Sequence, residues 1–190
     1  MSSTTYLIAD LHFDHEEVID EFDRPFDNIE EMHSALIDRW NRTVSESDLT
    51  IVVGDFACVD TEAEAWYRLS QLNGDKILVD GNHRPIERSQ FSSTDLPLTT
   101  EYKLETSRYD FLCCHKLEWI PEEWQGWKIY GHVHDRYPEK HPFLDPQSKS
   151  INVGAELLDY TPVSIGHITD LLDRQEKYVT LSEADESGST

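Results

Sequence analysis

The chain has 190 residues, of which 38 are acidic and 16 are basic, and its formal net charge is −22. This length suits a single domain with a full hydrophobic core. So acidic a surface repels nucleic acid and anionic membranes at ordinary salt, and no apolar run approaches membrane-spanning length. The composition therefore disfavours both a nucleic-acid-binding module and a membrane protein.

The charge excess also predicts a halophilic protein, because concentrated salt screens the repulsion between surface carboxylates. An ordinary acidic cytosolic protein is the alternative. The three cysteines form neither an even framework nor a CxxC pair, which indicates a reducing compartment. The first residues lack the basic and apolar regions of a signal peptide. We therefore expect a cytoplasmic location.

The first predicted strand, residues 6–9, leads directly to Asp10 and His12. An extended backbone places residues two apart on the same side, so these two side chains can reach one metal ion. His15 and Arg24 lie in the loop that follows. His15 either contacts a phosphate group or is a plain loop residue. Arg24 either holds a phosphate oxygen bidentately or forms a surface salt bridge.

The next two elements are a helix and a buried strand. Asn28 and Glu31 form a capping-box pattern, which predicts a helix that runs to about Trp40. Residues 51–53 are three consecutive β-branched residues, which predict a buried strand. This strand delivers Asp55 at its carboxyl end.

A second helix is predicted over residues 61–72, with Trp66, Leu69 and Leu72 facing inward. The apolar residues 76–79 then predict a third strand. Asn82 and His83 follow the end of this strand, as Asp55 follows the strand before it. The pattern of a strand followed by polar side chains is therefore repeated.

Two more predicted strands end in histidine. The run at 109–114 leads to His115, and the run at 127–130 leads to His132 and His134. Asp, Asn and His are the residues that hold hard or borderline metal ions, and sites in open α/β sheets form at the carboxyl ends of strands. Residue type and position therefore both predict a metal site.

The C-terminal part completes one domain, predicted over residues 1–182. We expect a strand at 150–153, a short helix near 168–172 and a closing strand at 177–181. Residues 183–190 are predicted to be a disordered acidic tail. Strands alternate with helices at first and then crowd together, which predicts an α/β core with two sheets packed face to face and helices outside.

Five short motifs follow one another along the chain: Asp10-x-His12, Gly54-Asp55, Gly81-Asn82-His83, an isolated His115 and Gly131-His132-x-His134. In order and rough spacing they resemble the signature blocks of the calcineurin-like metallophosphoesterases. The stretch from Asp10 to His15, with Arg24-Pro25-Phe26 behind it, is similar to a small bacterial, archaeal and phage subgroup. The resemblance covers about residues 6–165. It implies a four-layer α/β/β/α sandwich, with two mixed sheets flanked by helices, and a two-metal hydrolase.

The resemblance also assigns roles to these side chains. Asp55 bridges two divalent ions about 3.5 to 4 Å apart, and a bridging water that has lost a proton attacks phosphorus. Nitrogen and oxygen donors suit manganese, with iron or zinc as alternatives. His83 protonates the leaving oxygen or stabilises developing charge. The remaining ligands form two sets: Asp10, His12 and His134 for one ion, and Asn82, His115 and His132 for the other.

Two positions depart from the family pattern. Arg84 stands where the family usually has an acidic residue, which leaves open what orients His83 and makes Arg84 a candidate substrate contact beside His15 and Arg24. Asp80 is an alternative carboxylate. The Asp-Arg-Gly pattern of serine/threonine protein phosphatases does not follow Gly54, which argues against that class.

We therefore expect a phosphoesterase that acts on a small phosphomonoester or phosphodiester, as a monomer or homodimer. A nuclease is the first alternative, and Trp119, Trp124 and Trp127 then offer a base-stacking rim, although such residues more often pack in a core. The second alternative is a non-catalytic binding scaffold. It is disfavoured because every ligand position is filled.

Overall fold

A computed structural model describes residues 3–83 and 98–187, which contain ten β-strands and five α-helices. The strands are β1 Thr5–Ile8, β2 Leu49–Val53, β3 Asp75–Val79, β4 Leu98–Thr99, β5 Tyr102–Glu105, β6 Asp110–Cys113, β7 Trp127–Tyr130, β8 Leu144–Asp145, β9 Ser150–Asn152 and β10 Val163–Ser164. The helices are α1 Glu17–Glu21, α2 Ile29–Thr43, α3 Glu62–Ser70, α4 Ile165–Arg174 and α5 Leu181–Ser187. Short 3₁₀ turns cover Leu117–Trp119 and Ala155–Leu158.

The strands form two mixed five-stranded sheets. The first sheet has the order β10-β1-β2-β3-β4, in which only the β10–β1 pairing is antiparallel. The second sheet has the order β5-β6-β7-β9-β8, with a parallel centre and antiparallel edges. The predicted α/β class with two mixed sheets and helices is confirmed, while the arrangement in four layers stays a prediction.

One hydrophobic core includes residues from both sheets. Ile51 and Val53 of β2, Phe111 of β6 and Ile129 of β7 are fully buried members of it. β2 lies between two parallel neighbours, and a strand in that position reads as a continuous apolar run. The β-branched sequence at 51–53 is explained by this central place.

Helix α2 begins as predicted, with one change in its cap. The Asn28 Oδ1 accepts the backbone N–H of Glu31 at 2.9 Å, as a capping box requires. The Glu31 carboxylate reaches back to the N–H of Asp27 at 2.7 Å, instead of that of Asn28. The helix continues past Trp40 to Thr43, because Met32, Leu36 and Trp40 stay on its buried face.

Two of the three residues predicted to face inward near helix α3, Leu69 and Leu72, are buried. Ala65 and Leu69, four residues apart, are buried, whereas the Trp66 side chain is 38% exposed. The inward assignment of Trp66 was therefore wrong. Positions four apart lie on one helix face, so Ala65 and Leu69 share the buried face, and Trp66, one residue after Ala65, lies off it.

The C-terminal segment differs most from the prediction. Residues 177–180 form no strand of a sheet, although Tyr178 makes an isolated bridge to Leu144. Residues 181–187 form α5, with Ala184 fully buried, so the expected disorder from residue 183 was wrong through residue 187. The Glu183 carboxylate accepts the N–H of Val179 at 2.8 Å. An acidic side chain at a helix start satisfies backbone donors, and composition alone does not reveal this.

None of the helices in the described residues combines the length and the apolar character needed to cross a bilayer.

Candidate metal centre

The predicted ligands come together from strand ends of both sheets. Two groups have ligand atoms that all lie within 4.8 Å of one another. The first metal group is Asp10, His12 and His134, and the second metal group is Asp55, His115 and His132. Five of these six side chains are buried, and His132 is partly exposed. Apart from Asp55 and Asn82, the division matches the two sets that the family resemblance implied.

Asp55 lies between the two groups. Its Oδ2 is 3.1 Å from Nε2 of His115 and 3.7 Å from Nε2 of His12. Its Oδ1 accepts the backbone N–H of His83 at 2.9 Å. One carboxylate oxygen thus reaches a histidine of each group, which is the position that a bridging ligand requires.

Asn82 joins the second metal group. Its Oδ1 lies 2.9 Å from Nε2 of His115, the nitrogen that also faces Asp55. An amide oxygen, a carboxylate and two imidazoles therefore meet at one point. Such a mixture of oxygen and nitrogen donors without thiolate suits Mn²⁺, Fe or Zn²⁺.

The first metal group contains a buried nitrogen that has no hydrogen-bond partner within the described ranges. This atom is Nε2 of His12, while Nδ1 of the same ring lies 3.0 Å from Nδ1 of His15. Buried polar atoms are nearly always paired, and an exception requires an explanation. A metal ion held by Asp10, His12 and His134 would satisfy this nitrogen, so the residues fit an ion.

The backbone is left-handed at most of these positions. The φ angles are +58° at Asp10, +53° at His12, +47° at Asp55, +71° at His132 and +51° at His134. Each non-glycine residue in this region costs on the order of 1 kcal/mol or more, and such residues cluster at functional sites. The predicted pairing of Asp10 with His12 is therefore right in outcome, but the extended backbone given as its reason was wrong.

Glycines in the motifs allow the side chains to approach. A Cβ at Gly81 would lie 1.9 Å from Oδ1 of Asp55, and one at Gly54 would lie 2.1 Å from Nδ1 of His115. Both distances are far shorter than any van der Waals contact. Each of these two glycines is therefore required by the close approach of a ligand from another motif.

Burial keeps two of the histidines neutral. It lowers the pKa of His12 to about 2 and that of His132 to about 4, with His115 and Lys116 adding to the effect on His132. Neutral imidazole is the form that binds metal. Burial alone would raise the pKa of Asp55, but the hydrogen bond and charge of His115 hold it well below its usual range. The site therefore presents charged and neutral ligands at neutral pH.

Arg24 has neither of the roles predicted for it. Its side chain is buried, and all five of its N–H groups have protein acceptors. Nη2 donates to the carbonyl of Asp10 at 2.6 Å, and Nη1 donates to that of Leu11 at 3.0 Å. No donor is left for a phosphate oxygen, and the ion pair with Glu156 is not at the surface.

Glu156 is a site residue that the sequence did not indicate. Its Oε1 lies 2.8 Å from Nδ1 of His134. The ring of Phe22 stacks on the ring of His134, with the two centroids 3.5 Å apart. Neither residue belongs to a recognisable motif. The one available signal was Arg24, because a basic residue in a strongly acidic chain is expected to pair with a carboxylate.

A cavity of about 270 Å³ opens beside both metal groups. His15 and His83 line it, and so do Phe22, Arg136 and Tyr137. The substrate contacts expected of His15 and His83 stay predictions. The exposed His83 belongs to neither metal group.

Arg84, Asp80 and three tryptophans complete the set of predicted contacts. Arg84 is outside the described residues. Asp80 is buried next to the site. Trp127 packs in the core and Trp124 is partly buried, so of the three tryptophans only Trp119 is exposed near the site, with its ring centroid 6.1 Å from that of His115.

Comparison with known proteins identifies relatives without a described activity. No protein-family model matches the chain. The chain is 33% identical over 181 residues to the uncharacterized protein MJ1445 of Methanocaldococcus jannaschii, which covers 94% of this chain and 96% of that protein. Among solved structures, it is similar to the protein of unknown function AQ665 from Aquifex aeolicus, with a TM-score of 0.67 and 22% identity over 90% of this chain and all of that one. The similarity to AQ665, at 22% identity, supports the fold alone.

Proposed function

The chain belongs to the same family as MJ1445 of Methanocaldococcus jannaschii, and from the geometry of its site we propose that it is a dinuclear metal-dependent phosphoesterase. The observation that carries the proposal is the pair of metal groups with Asp55 between them. When bound, two divalent ions supply Lewis acidity and a nucleophile at neutral pH. The substrate that we propose is a small phosphomonoester or phosphodiester.

The ligands divide between the two ions by position. Asp10, His12 and His134 would hold one ion, and Asn82, His115 and His132 would hold the other, with Asp55 shared. Manganese is the ion that we propose first, because carboxylate and carbonyl oxygens suit it, and iron or zinc are the alternatives, because imidazole suits them.

His83 and His15 act on the substrate in this proposal. Both line the cavity, and their ring centroids are 5.2 Å apart. The backbone of His83 is fixed by its hydrogen bond to Asp55, whereas its imidazole is exposed. We assign to His83 the donation of a proton to the leaving oxygen, and to His15 a contact with the phosphate group.

A nuclease remains the second candidate only through the family resemblance. The formal charge of −22 opposes it, because phosphate backbones are bound through basic surfaces. Incubation with single- and double-stranded DNA and RNA, followed by gel electrophoresis, tests this alternative. Cleavage at a rate comparable with that of small phosphoesters would favour the nuclease.

The decisive experiment concerns Asp55. We expect the purified protein to hold up to two transition-metal ions per chain, and EDTA to abolish hydrolysis across a panel of phosphoesters. Asp55→Asn should weaken both sites at once, because its carboxylate faces both metal groups. Asp38→Asn, which changes an exposed carboxylate on α2, is the control. Full activity with unchanged metal content in Asp55→Asn would overturn the proposal.

A further inference from the structure

Arg24 and Glu156 form a buried ion pair behind the first metal group. Their side chains are 0% and 4% exposed, and Oε1 of Glu156 lies 2.7 Å from Nη2 and 2.9 Å from Nε of Arg24. The two residues are 132 positions apart in the chain. The pair therefore exists only in the folded protein.

The Glu156 carboxylate determines which nitrogen of His134 is available to a metal ion. Oε1 lies 2.8 Å from Nδ1 of that ring. A neutral imidazole carries one proton, so donation from Nδ1 to the carboxylate leaves the lone pair of Nε2 unprotonated. The stacked ring of Phe22 limits the remaining rotation of His134.

Arg24 supports a second ligand of the same group. It donates to the carbonyl oxygens of Asp10 and Leu11, at 2.6 and 3.0 Å. These bonds hold the backbone where Asp10 adopts its left-handed φ of +58°. Among the described residues, neither Arg24 nor Glu156 hydrogen-bonds to a ligand of the second metal group.

Stability alone does not explain this pair. Burying two charges costs desolvation, and well-packed apolar residues of similar volume are often as stable or more so. Apolar residues in these places would not accept the Nδ1 proton of His134, and they would not donate to the carbonyl of Asp10. The contacts that apolar residues could not make are those to the two ligands.

We infer that Arg24 and Glu156 are positioning residues that hold the first metal group, so that the two metal ions depend on them unequally. This inference rests on the proposed function, since it assumes that both metal groups bind ions. Removing the Glu156 carboxylate loosens the site of Asp10, His12 and His134 and leaves the site of His115 and His132 intact. Partners of this kind are typically worth about 10- to 100-fold in metal affinity.

The test compares Glu156→Ala with Glu156→Gln after loading with Mn²⁺. Metal content is measured by mass spectrometry, affinity by calorimetry, and the coupling of the two ions by electron paramagnetic resonance. We expect Glu156→Ala to retain one ion, in the second metal group, with the spectrum of an isolated Mn²⁺. Its affinity for the ion of the first metal group should fall about 10- to 100-fold. Glu156→Gln keeps an acceptor for Nδ1–H and should retain a coupled pair with a smaller loss.

Asp159→Asn is the matched control. Asp159 follows the same 3₁₀ turn and forms an ion pair with Arg39, but it contacts no ligand. Asparagine tolerates its left-handed φ of +47°. This variant should bind two ions with the affinity of the wild type.

Three outcomes would overturn the inference: two tightly bound, coupled ions in a folded Glu156→Ala, equal loss from both sites in Glu156→Gln, or an equal effect of Asp159→Asn. If Glu156→Ala does not fold, Glu156→Gln decides, and wild-type affinity at both of its sites would count against the pair. Failure of the proposed function has a different signature, because the wild type itself would then bind no ions or would hydrolyse no phosphoester.

Discussion

Single residues at this site are controlled by burial. His12 is enclosed so completely that its pKa falls to about 2, and its Nε2 has no hydrogen-bond partner in the described part of the chain. His83 is exposed, although its ring centroid lies only 5.2 Å from that of His12. The first environment favours a neutral ligand, and the second favours a group that exchanges protons with substrate. Each residue permits a separate experiment.

The acid stability of the metal-free protein should depend on His12. A histidine whose pKa is lowered by folding takes up a proton only in the unfolded chain. Its stabilising effect is therefore complete above the unfolded pKa of about 6.5 and is lost as the pH falls below that value. Between pH 7 and pH 5 this loss is about 2 kcal/mol.

Urea unfolding in EDTA at the two pH values measures this effect. We expect the wild type to lose about 2 kcal/mol more than His12→Asn over the interval. Asparagine suits the comparison because it tolerates the left-handed φ of +53° at this position. Equal losses in the two proteins would show that His12 is not buried in its neutral form.

His83→Asn should slow the hydrolysis of some substrates far more than others. An alkoxide leaving group needs a proton, whereas a nitrophenolate scarcely does, and general-acid catalysis is typically worth about 10²- to 10⁴-fold. We expect a loss in this range for alkyl or nucleoside phosphoesters and little loss for nitrophenyl esters. Metal content should stay near that of the wild type, because His83 belongs to neither metal group.

The kinetic pattern distinguishes the roles of His83. An equal loss for both classes of leaving group would mean that His83 stabilises charge or positions phosphate instead of donating a proton. Loss of metal would place its imidazole among the ligands.

At the scale of elements, the carboxyl ends of the strands position the ligands. Asp10 follows β1, Asp55 follows β2, His115 follows β6 and His132 follows β7. The two sheets therefore meet at the metal centre as well as in the core. Left-handed residues turn the chain sharply at three of these four ends. The strands limit where the ligands lie, and the turns determine their direction.

Helix α5 should contribute measurably to stability, in contrast to a disordered tail. Ala184 is fully buried, Leu181 packs against the core, and Arg174 donates to the carbonyl of Ala184 at 3.2 Å. Deleting residues 181–190 should lower the free energy of unfolding by about 1 to 3 kcal/mol, the value expected for exposing a large apolar side chain. Deleting residues 188–190 alone is the control, since it leaves α5 complete. Identical thermal melts for the two truncations would contradict the role of α5.

At the scale of the whole molecule, repulsion between carboxylates is the dominant surface force. The chain has 38 acidic and 16 basic residues, and several of its arginines form exposed ion pairs, such as Arg108 with Asp173 and Arg136 with Glu21. Exposed pairs of this kind contribute little to stability. Most of the negative charge therefore has no compensating partner.

Salt should stabilise the protein. The screening length falls to about 3 Å at 1 M ionic strength, which suppresses repulsion between neighbouring carboxylates. We expect the melting temperature to rise substantially between dilute buffer and molar KCl, in EDTA so that metal binding does not contribute. A series in a nonionic osmolyte separates screening from general surface exclusion. A flat or falling curve in KCl would remove the basis for a halophilic protein.

The sequence alone determined which residues meet at the metal centre. Apolar runs predicted the longer strands β1, β2, β3, β6 and β7, and the polar residues after these strands include all members of both metal groups. A buried strand has a strong local signal, and the strands of one sheet share an edge for their carboxyl ends, which explains the prediction within each sheet. The grouping of ligands from the two sheets was implied by the family resemblance. The motif glycines were also visible in the sequence, but the close approach of Asp55 and His115 that requires them was not.

Tertiary structure alone decided what supports those ligands. Glu156 finds Arg24 across 132 residues, and Ala184 places α5 in the core. Each of these contacts depends on how distant elements pack, and neither leaves a periodic or compositional trace in the sequence. Arg24 shows the difference most clearly: its charge was visible, but its burial, and hence its role, depended on acceptors that the folded chain brings together. A hydrogen bond between distant residues is a property of three-dimensional proximity, whereas sequence patterns report only neighbours along the chain.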